Sequence, residues 1–195
     1  MINISNLTVN YGDANILENC SLHIARGEKV ALMGPSGCGK TTLLGCIAGL
    51  IRPQSGSVEI DTSRISYVFQ EPRLLPWLTA AQNINAVLSD SRIASHECYE
   101  WLQRAGLLED ADKYPSELSG GMQQRISICR ALAYGGDILL LDEPLKGLNA
   151  ELREEMAELI RREAQGKTLL LVTHDEWEAQ ALADRVLHFS GGKFI

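Results

Sequence analysis

Residues 34–41 read Gly34-Pro35-Ser36-Gly37-Cys38-Gly39-Lys40-Thr41, and this stretch decides the fold. It fits the pattern G-x-x-x-x-G-K-[ST], in which the backbone N–H groups of a glycine-rich loop surround a phosphate. The apolar segment 28–33 before it predicts a short strand, and residues 41–50 after it predict a buried helix. A chance match in a glycine-rich turn is the alternative, and the two flanking elements argue against it.

The residue types of this loop suit a nucleotide. Its glycines let the backbone turn N–H groups toward a phosphate, and the helix N-terminus adds a partial positive charge. We expect Lys40 to reach the β- and γ-phosphates. The hydroxyl of Thr41 is placed to bind Mg²⁺, and Thr42 adds a second hydroxyl on the first turn.

A second apolar stretch ends in two carboxylates, and it reads Asp137-Ile138-Leu139-Leu140-Leu141-Asp142-Glu143-Pro144. Such a run favours a buried central strand of a parallel sheet. Ligands of open α/β sheets bind at the carboxyl ends of the strands, so Asp142 could hold Mg²⁺ and Glu143 could polarise an attacking water. The alternative is a buried strand followed by a solvated acidic turn.

A third motif lies further on, and it reads Leu118-Ser119-Gly120-Gly121-Met122-Gln123-Gln124-Arg125. With these motifs in this order, the chain resembles the nucleotide-binding subunits of ABC transporters over residues 1–195. The resemblance implies that Ser119 and the N–H groups of Gly120 and Gly121 contact the γ-phosphate held by an opposing subunit. It also places Gln123, which lies within this third motif, among the nucleotide-binding residues.

The same resemblance assigns three further positions. Gln70 matches the glutamine that senses Mg²⁺ and the attacking water, and His174 matches the histidine that contacts the γ-phosphate. Tyr11 matches the aromatic residue on which adenine stacks. Taken singly, a glutamine or histidine at a strand end is usually only a polar terminus, and a tyrosine near the N-terminus is more often core or surface.

One position departs from the family pattern. Asn149 stands where the family usually has an aspartate, in a loop that crosses the dimer interface of related proteins. Asparagine keeps an acceptor oxygen and loses the charge. Slow or loosely coupled hydrolysis is therefore a hypothesis for this chain.

The predicted fold class is α/β, a P-loop NTPase core with a mostly parallel sheet, an antiparallel β edge and an inserted helical lobe. Apolar alternation at 2–9 and 20–26 predicts the β edge, and residues 52–56 predict a turn. Helices are predicted at 80–88, 94–105 and 120–133. We expect one ABC ATPase domain over 1–195, with 1–70 and 135–195 as the core and 71–134 as the lobe.

Composition restricts the function further. The chain has 195 residues and a formal net charge of −7, which argues against general nucleic-acid binding. It has no leader and no apolar run of eighteen residues, so we expect a cytoplasmic protein, peripheral on the cytoplasmic face of the cell membrane. The cysteines form no C-x-x-C pair and predict reduced thiols. Cys38 stands apart because it lies inside the phosphate loop.

The expected function is an ATPase that binds ATP and Mg²⁺ and energises import of a small solute. Residues 69–79 are especially similar to the ATPases of sulfonate, nitrate and taurine importers. The expected partners are a second copy of the chain in the ATP-bound state, a polytopic membrane permease that contacts this segment, and indirectly a substrate-binding protein. The segment could instead be the small core of the helical lobe. The alternative function is an ABC ATPase that acts without a membrane partner, in repair, translation or cofactor assembly.

Overall fold

The computed structural model describes residues 1–12, 14–88 and 94–195. It divides into two compact units. The first contains Met1–Tyr67, Asp137–Glu143 and Ala164–Ile195, and the second contains Val68–Gly136 and Pro144–Glu163. The predicted core included 144–163, so the observed division differs there from the predicted boundaries. Residues 89–93 of the predicted lobe lie outside the described residues.

The described residues form the following elements. The strands are β1 (Ile2–Tyr11), β2 (Ala14–Ile24), β3 (Lys29–Met33), β4 (Ser55–Ile60), β5 (Ile65–Val68), β6 (Ile138–Asp142), β7 (Thr168–Thr173), β8 (Arg185–Ser190) and β9 (Lys193–Phe194). The α-helices are α1 (Lys40–Ile47), α2 (Ala80–Asn85), α3 (Ala94–Arg104), α4 (Gly120–Ala133), α5 (Ala150–Glu163) and α6 (Glu176–Leu182). Short 3₁₀ turns cover Leu108–Asp110 and Pro115–Glu117.

The predicted antiparallel β edge is confirmed as a sheet with the strand order β2-β1-β4. The inward side chains of β1 change phase at Asn6, which has a φ of 49° and lies in an irregularity of the pairing. The turn predicted at 52–56 ends before Ser55, so its predicted end is wrong. Ser55 already pairs with Thr8, and the chain continues as β4 against β1.

The main sheet has the order β5-β6-β7-β3-β8-β9. Strand β3 pairs in parallel with β7 and β8, β6 pairs in parallel with β7, and β9 is antiparallel to β8. Every residue of β6 and β7 is buried. Continuous apolar strands of this kind are typical of parallel sheets covered on both faces.

Helix α1 buries Leu43, Leu44 and Ile47 in the core of the first unit. It was predicted to reach Leu50 but ends at Ile47. The N–H of Leu50 donates to the carbonyl of Gly45 at 2.9 Å, a longer span than the helical bond, and this contact closes the helix.

The second unit is helical, as predicted for the lobe. The predicted helix at 120–133 has the observed bounds of α4, and α3 ends at Arg104, one residue before its predicted end. Helix α2 stops at Asn85 instead of Leu88, because the N–H groups of Val87 and Leu88 bond three residues back rather than four. Within the ranges that the structure describes, no helix is long and apolar enough to cross a lipid bilayer.

Candidate functional site

Three strands of the first unit end at one edge of the main sheet. Met33 at the end of β3 lies opposite Thr173 at the end of β7, and Asp142 ends β6 one residue short of that level. The phosphate loop follows β3, Glu143 follows β6 and His174 follows β7. The register therefore brings these predicted residues to the carboxyl edge, where α/β sheets bind ligands.

The phosphate loop is shaped by its glycines. A β-carbon on Gly34 would overlap the carbonyl oxygen of Phe189 in β8, so the loop can pass this strand only without a side chain there. Gly37 has a φ of 79°, which is strained for other residues. Gly39 precedes α1, and no side chain of the described part of the chain caps the first turn of this helix. The helix start therefore offers N–H groups and a dipole to an anion.

Lys40 is held within this loop and is only 6% exposed. Its Nζ donates to the carbonyl oxygens of Gly34 and Pro35, each at 2.8 Å, and lies 3.6 Å from Sγ of Cys38. These contacts fix a positive charge beside the N-terminus of α1. The loop is thus positively charged before a phosphate arrives.

The remaining loop positions differ in exposure. Pro35, Ser36 and Thr41 are exposed, and Thr42 is half-buried. The thiol of Cys38 is also half-buried and lies 3.4 Å from the carbonyl oxygen of Phe189. A molecule in the loop can therefore reach the hydroxyl of Thr41, while the Cys38 thiol borders the same space.

Asp142, Glu143 and His174 form the acidic side of the edge. Asp142 is 2% exposed and Glu143 is 9% exposed. The backbone of Glu143 has a φ of 46°, and its N–H donates to the carbonyl of Val172 at 2.8 Å. A left-handed glutamate costs about 1–2 kcal/mol, and such strain is often found at functional sites.

His174 connects to this carboxylate. Its Nδ1 lies 3.2 Å from Oε1 of Glu143, while most of its own side chain is exposed. A carboxylate and an imidazole at this distance can share a proton or orient one water. The structure thus brings together two residues that lie 31 positions apart in the sequence.

The third motif belongs to the second unit, where it begins α4. The hydroxyl of Ser119 accepts a hydrogen bond from the N–H of Met122 at 3.3 Å and caps the helix. Gly120 is the first residue of α4, and a β-carbon there would meet nothing within 4 Å. The exposed N-terminus of α4 is a second place in the molecule that suits an anion.

Side chains of the motif also hold the surrounding chain. Gln123 Nε2 donates to the carbonyls of Pro115 at 2.8 Å and Leu118 at 3.1 Å. Gln124 is buried, and its amide donates to the carbonyl of Pro144 at 2.8 Å. The sequence reasoning missed Gln124, because its partner is a backbone group twenty residues away.

Gln70 is an exposed residue of the second unit, and a well-anchored segment follows it. Arg73 stacks its guanidinium 4.1 Å from the ring centre of Phe69. Arg130 of α4 donates to the carbonyls of Pro72 at 3.1 Å and Arg73 at 3.0 Å. This anchoring was not predicted, because an arginine late in a helix carries no signal for a distant loop.

Asn83 anchors the rest of the same segment and is fully buried. Its oxygen accepts from the N–H of Leu75 at 2.8 Å, and its amide donates to the carbonyls of Leu75, Leu78 and Thr79 at 3.0–3.2 Å. Trp77 lies between these anchored positions and is 69% exposed. The segment is therefore fixed at the backbone while presenting an aromatic side chain.

Tyr11 and Asn149 lie at chain turns of different units. Tyr11 pairs with Ala14 at the end of the β1–β2 hairpin of the first unit, and its side chain is 55% exposed. In the second unit, Asn149 Oδ1 accepts from the N–H of Leu152 at 2.9 Å and so caps α5. The acceptor oxygen that asparagine shares with aspartate is thus used to start this helix.

Comparisons with known proteins agree with this geometry. A profile described as ABC transporter matches residues 17–146. The aliphatic sulfonates import ATP-binding protein SsuB 1 of Mesorhizobium japonicum is 44% identical over 193 residues, covering 94% of this chain and 73% of that protein. SsuB 1 of Burkholderia lata is 45% identical over 202 residues, covering 98% of this chain and 62% of that protein.

Two solved structures are similar over the whole fold. A dimeric structure of MJ0796, described as a bacterial ABC transporter cassette, has a TM-score of 0.93 at 33% identity and covers 100% of this chain and 96% of its own. A dimeric post-hydrolysis state of the same cassette, bound to ADP and phosphate, has a TM-score of 0.92 at 32% identity, with the same coverage.

The phosphate loop, the parallel sheet and the acidic edge define a P-loop nucleotide-binding protein. The chain belongs to the ABC transporter family, and it is an ATP-hydrolysing subunit of that family. The α/β fold class and the resemblance predicted from the motifs are both confirmed.

Proposed function

We propose that Lys40, Glu143 and His174 carry out ATP hydrolysis at the carboxyl edge of the main sheet. The contact of 3.2 Å between Glu143 and His174 is the observation that carries this proposal. Lys40 neutralises charge on the β- and γ-phosphates, Glu143 takes the proton of the attacking water, and His174 orients the carboxylate and contacts the γ-phosphate. The phosphate loop positions the nucleotide through its backbone N–H groups.

The residues present also fit Mg²⁺. In the ranges that the structure describes, no group of three or more His, Cys, Asp or Glu side chains could hold a metal ion. Mg²⁺ in ATPases needs few protein ligands, because phosphates and waters complete its shell. The exposed hydroxyl of Thr41 and the carboxylate of Asp142, both in the first unit, would hold the ion. Bound Mg²⁺ would neutralise phosphate charge.

Two substitutions test these roles separately. Glu143→Gln removes the base but keeps the shape of the side chain, so turnover should fall by on the order of 10²–10⁴ while ATP still binds. Lys40→Ala removes the fixed charge and should weaken ATP binding itself. Glu176→Gln is the matched control, because Glu176 is an exposed carboxylate in the first turn of α6. Near wild-type turnover of Glu143→Gln would refute the assignment of the base.

Two copies of the chain would complete each site. The N-terminus of α4, with the hydroxyl of Ser119 and the N–H groups of Gly120 and Gly121, suits the γ-phosphate held by a partner subunit. The exposed ring of Tyr11 offers a stacking surface for adenine. The dimeric structures of MJ0796 support this arrangement. ATP would then close the dimer, and loss of the γ-phosphate would let the subunits separate.

A polytopic membrane permease is the proposed second partner. The segment Pro72–Thr79 supports this proposal, because it is anchored by Asn83 and Arg130 and leaves Trp77 exposed. The leucines of the segment are half-buried, which also agrees with a role in the core of the helical unit. On the permease reading, the subunit lies on the cytoplasmic face of the cell membrane.

Co-purification distinguishes the two readings. Trp77→Ala should weaken recovery of the ATPase with its permease while its ATPase activity alone is unchanged, and Tyr114→Ala, another exposed aromatic of the second unit, should not. Equal recovery of both variants would contradict the proposed contact. Failure of the wild-type protein to co-purify with any polytopic membrane protein would favour an ABC ATPase without a membrane partner.

Sulfonates are the proposed solutes of the transporter. The support is the similarity to ATPases named for import of aliphatic sulfonates, which extends over nearly the whole chain. A sulfate/thiosulfate import ATP-binding protein, CysA 2 of Chromobacterium violaceum, is also 44% identical, but this chain covers 54% of it. A substrate-binding protein and the permease would supply the solute specificity.

A growth experiment separates these solutes. A host strain without this gene should fail to grow with an alkanesulfonate or taurine as sulfur source and should grow on sulfate. The wild-type gene should restore growth, and the gene with Glu143→Gln should not. If the strain without the gene fails to grow on sulfate, sulfate import is favoured instead. If it fails to grow with nitrate as the nitrogen source, nitrate import is favoured.

A further inference from the structure

The turn that carries His174 is closed by a ring of hydrogen bonds. The hydroxyl of Thr173 donates to Oε2 of Glu178, the N–H of Asp175 donates to Oγ1 of Thr173 at 3.1 Å, and the N–H of Glu178 donates to Oδ1 of Asp175 at 3.1 Å. The ring contains both chain neighbours of His174. Its members come from the end of β7 and the start of α6, and all lie in the first unit.

Glu178 occupies an unusual environment for a carboxylate. It is 4% exposed, and Thr173 is 1% exposed. Burying an ionisable group costs free energy unless hydrogen bonds compensate, so a glutamate at a purely structural helix position would usually face solvent. Glu176, two positions earlier on the same helix, is exposed. The buried carboxylate is therefore placed toward the turn of His174.

The ring explains why an exposed histidine stays in one place. Most of the His174 side chain contacts solvent, so packing does little to fix it. Its backbone, however, is fixed on both sides, by Thr173 through the sheet and by Asp175 through the N-cap of α6. With the backbone fixed, Nδ1 remains 3.2 Å from the carboxylate of Glu143.

The geometry points to Glu178 as a positioning residue for His174. Glu178 sets the turn that holds the imidazole against Glu143. This inference rests on the proposed roles of Glu143 and His174. Glu178 should therefore act on turnover only through His174, and ATP binding through the phosphate loop should not depend on it.

A double-mutant cycle tests this dependence. Glu178→Ala should lower kcat by about tenfold, because small displacements of a catalytic group have large effects on rate, and should leave KM for ATP within about twofold. Glu178→Gln should retain most of the wild-type kcat, since its amide oxygen can accept from Thr173. In a His174→Ala background, Glu178→Ala should have no further effect on kcat.

Other results would overturn the inference. Glu178→Ala could retain the wild-type kcat, or it could lower kcat by the same factor with and without His174. Either result would mean that Glu178 only stabilises the protein structure. If Glu178→Ala does not fold, Thr173→Val opens the ring at similar volume and Thr173→Ser keeps the hydroxyl, so only the first should lower kcat. If Glu143→Gln and His174→Ala themselves keep wild-type turnover, the proposed function fails, whatever Glu178 does.

Discussion

Alkylation of Cys38 should abolish the ATPase activity, and ATP should protect against it. Cys38 is half-buried and borders the phosphate loop, with Sγ 3.6 Å from Nζ of Lys40. An N-ethylmaleimide adduct at this thiol would occupy space that the phosphates need and would displace the lysine. The other cysteines are all buried, with exposures between 0% and 5%.

Burial protects these other thiols chemically as well as sterically. It raises the pKa of Cys46 to about 11 and that of Cys129 to about 12, and it also raises the pKa of Cys20 and Cys98. The thiolate is the reactive form. At about pH 8, roughly one Cys46 thiol in a thousand is ionised, against roughly a quarter for an ordinary thiol. Labelling of Cys46 and Cys129 should therefore be more than about a hundredfold slower than labelling of an ordinary thiol, and labelling of Cys20 and Cys98 should also be slower.

The assay combines peptide mass spectrometry with residual ATPase activity over the same time course. Activity should be lost in step with labelling of Cys38, and saturating ATP should slow both. The Cys38→Ser variant should keep a measurable activity that resists the reagent. Loss of activity that tracks Cys46, or that ATP does not slow, would refute the reasoning.

Two further predictions concern the phosphate loop and Asn149. Gly34→Ala should greatly weaken ATP binding, because the added β-carbon overlaps the carbonyl of Phe189. In Gly37→Ala the added β-carbon meets no atom within 4 Å, so this variant should bind ATP and lose only about 1 kcal/mol of stability through its positive φ. Equal ATP affinities of the two variants in a binding titration would contradict this prediction. Asn149→Ala should lower the free energy of unfolding by about 1 kcal/mol, as expected when a helix cap is lost. Asn149→Asp should retain the cap. If the rate of coupled ATP hydrolysis is unchanged in that variant, the hypothesis that the missing charge makes hydrolysis slow or loosely coupled is removed.

The sequence predicted the parts of the site that depend on local pattern. The loop at 34–41 has a fixed spacing, and the apolar runs before it and before Glu143 leave few alternatives to buried parallel strands. The bounds of α4 were predicted from the helical pattern, and the structure shows Ser119 as its N-cap. Local chemistry was sufficient for these elements.

Other features depend on contacts between distant residues. β4 was missed because its sequence, SGSVEI, is mostly exposed and carries little apolar signal. The anchoring of Pro72–Thr79 by Asn83 and Arg130 depends on side chains that reach distant backbone carbonyls. The role of Glu178 had one local signal, a glutamate three residues after the N-cap Asp175, but the pattern alone does not reveal the contact with Thr173.

The mass of the Glu143→Gln variant in solution, measured by light scattering with and without Mg·ATP, tests the central claim most directly. This variant should bind ATP without hydrolysing it, so a monomer without nucleotide should become a dimer with Mg·ATP. Lys40→Ala should stay monomeric under both conditions. A Glu143→Gln protein that binds ATP but remains a monomer, alone and with its permease, would contradict closure of two subunits around ATP.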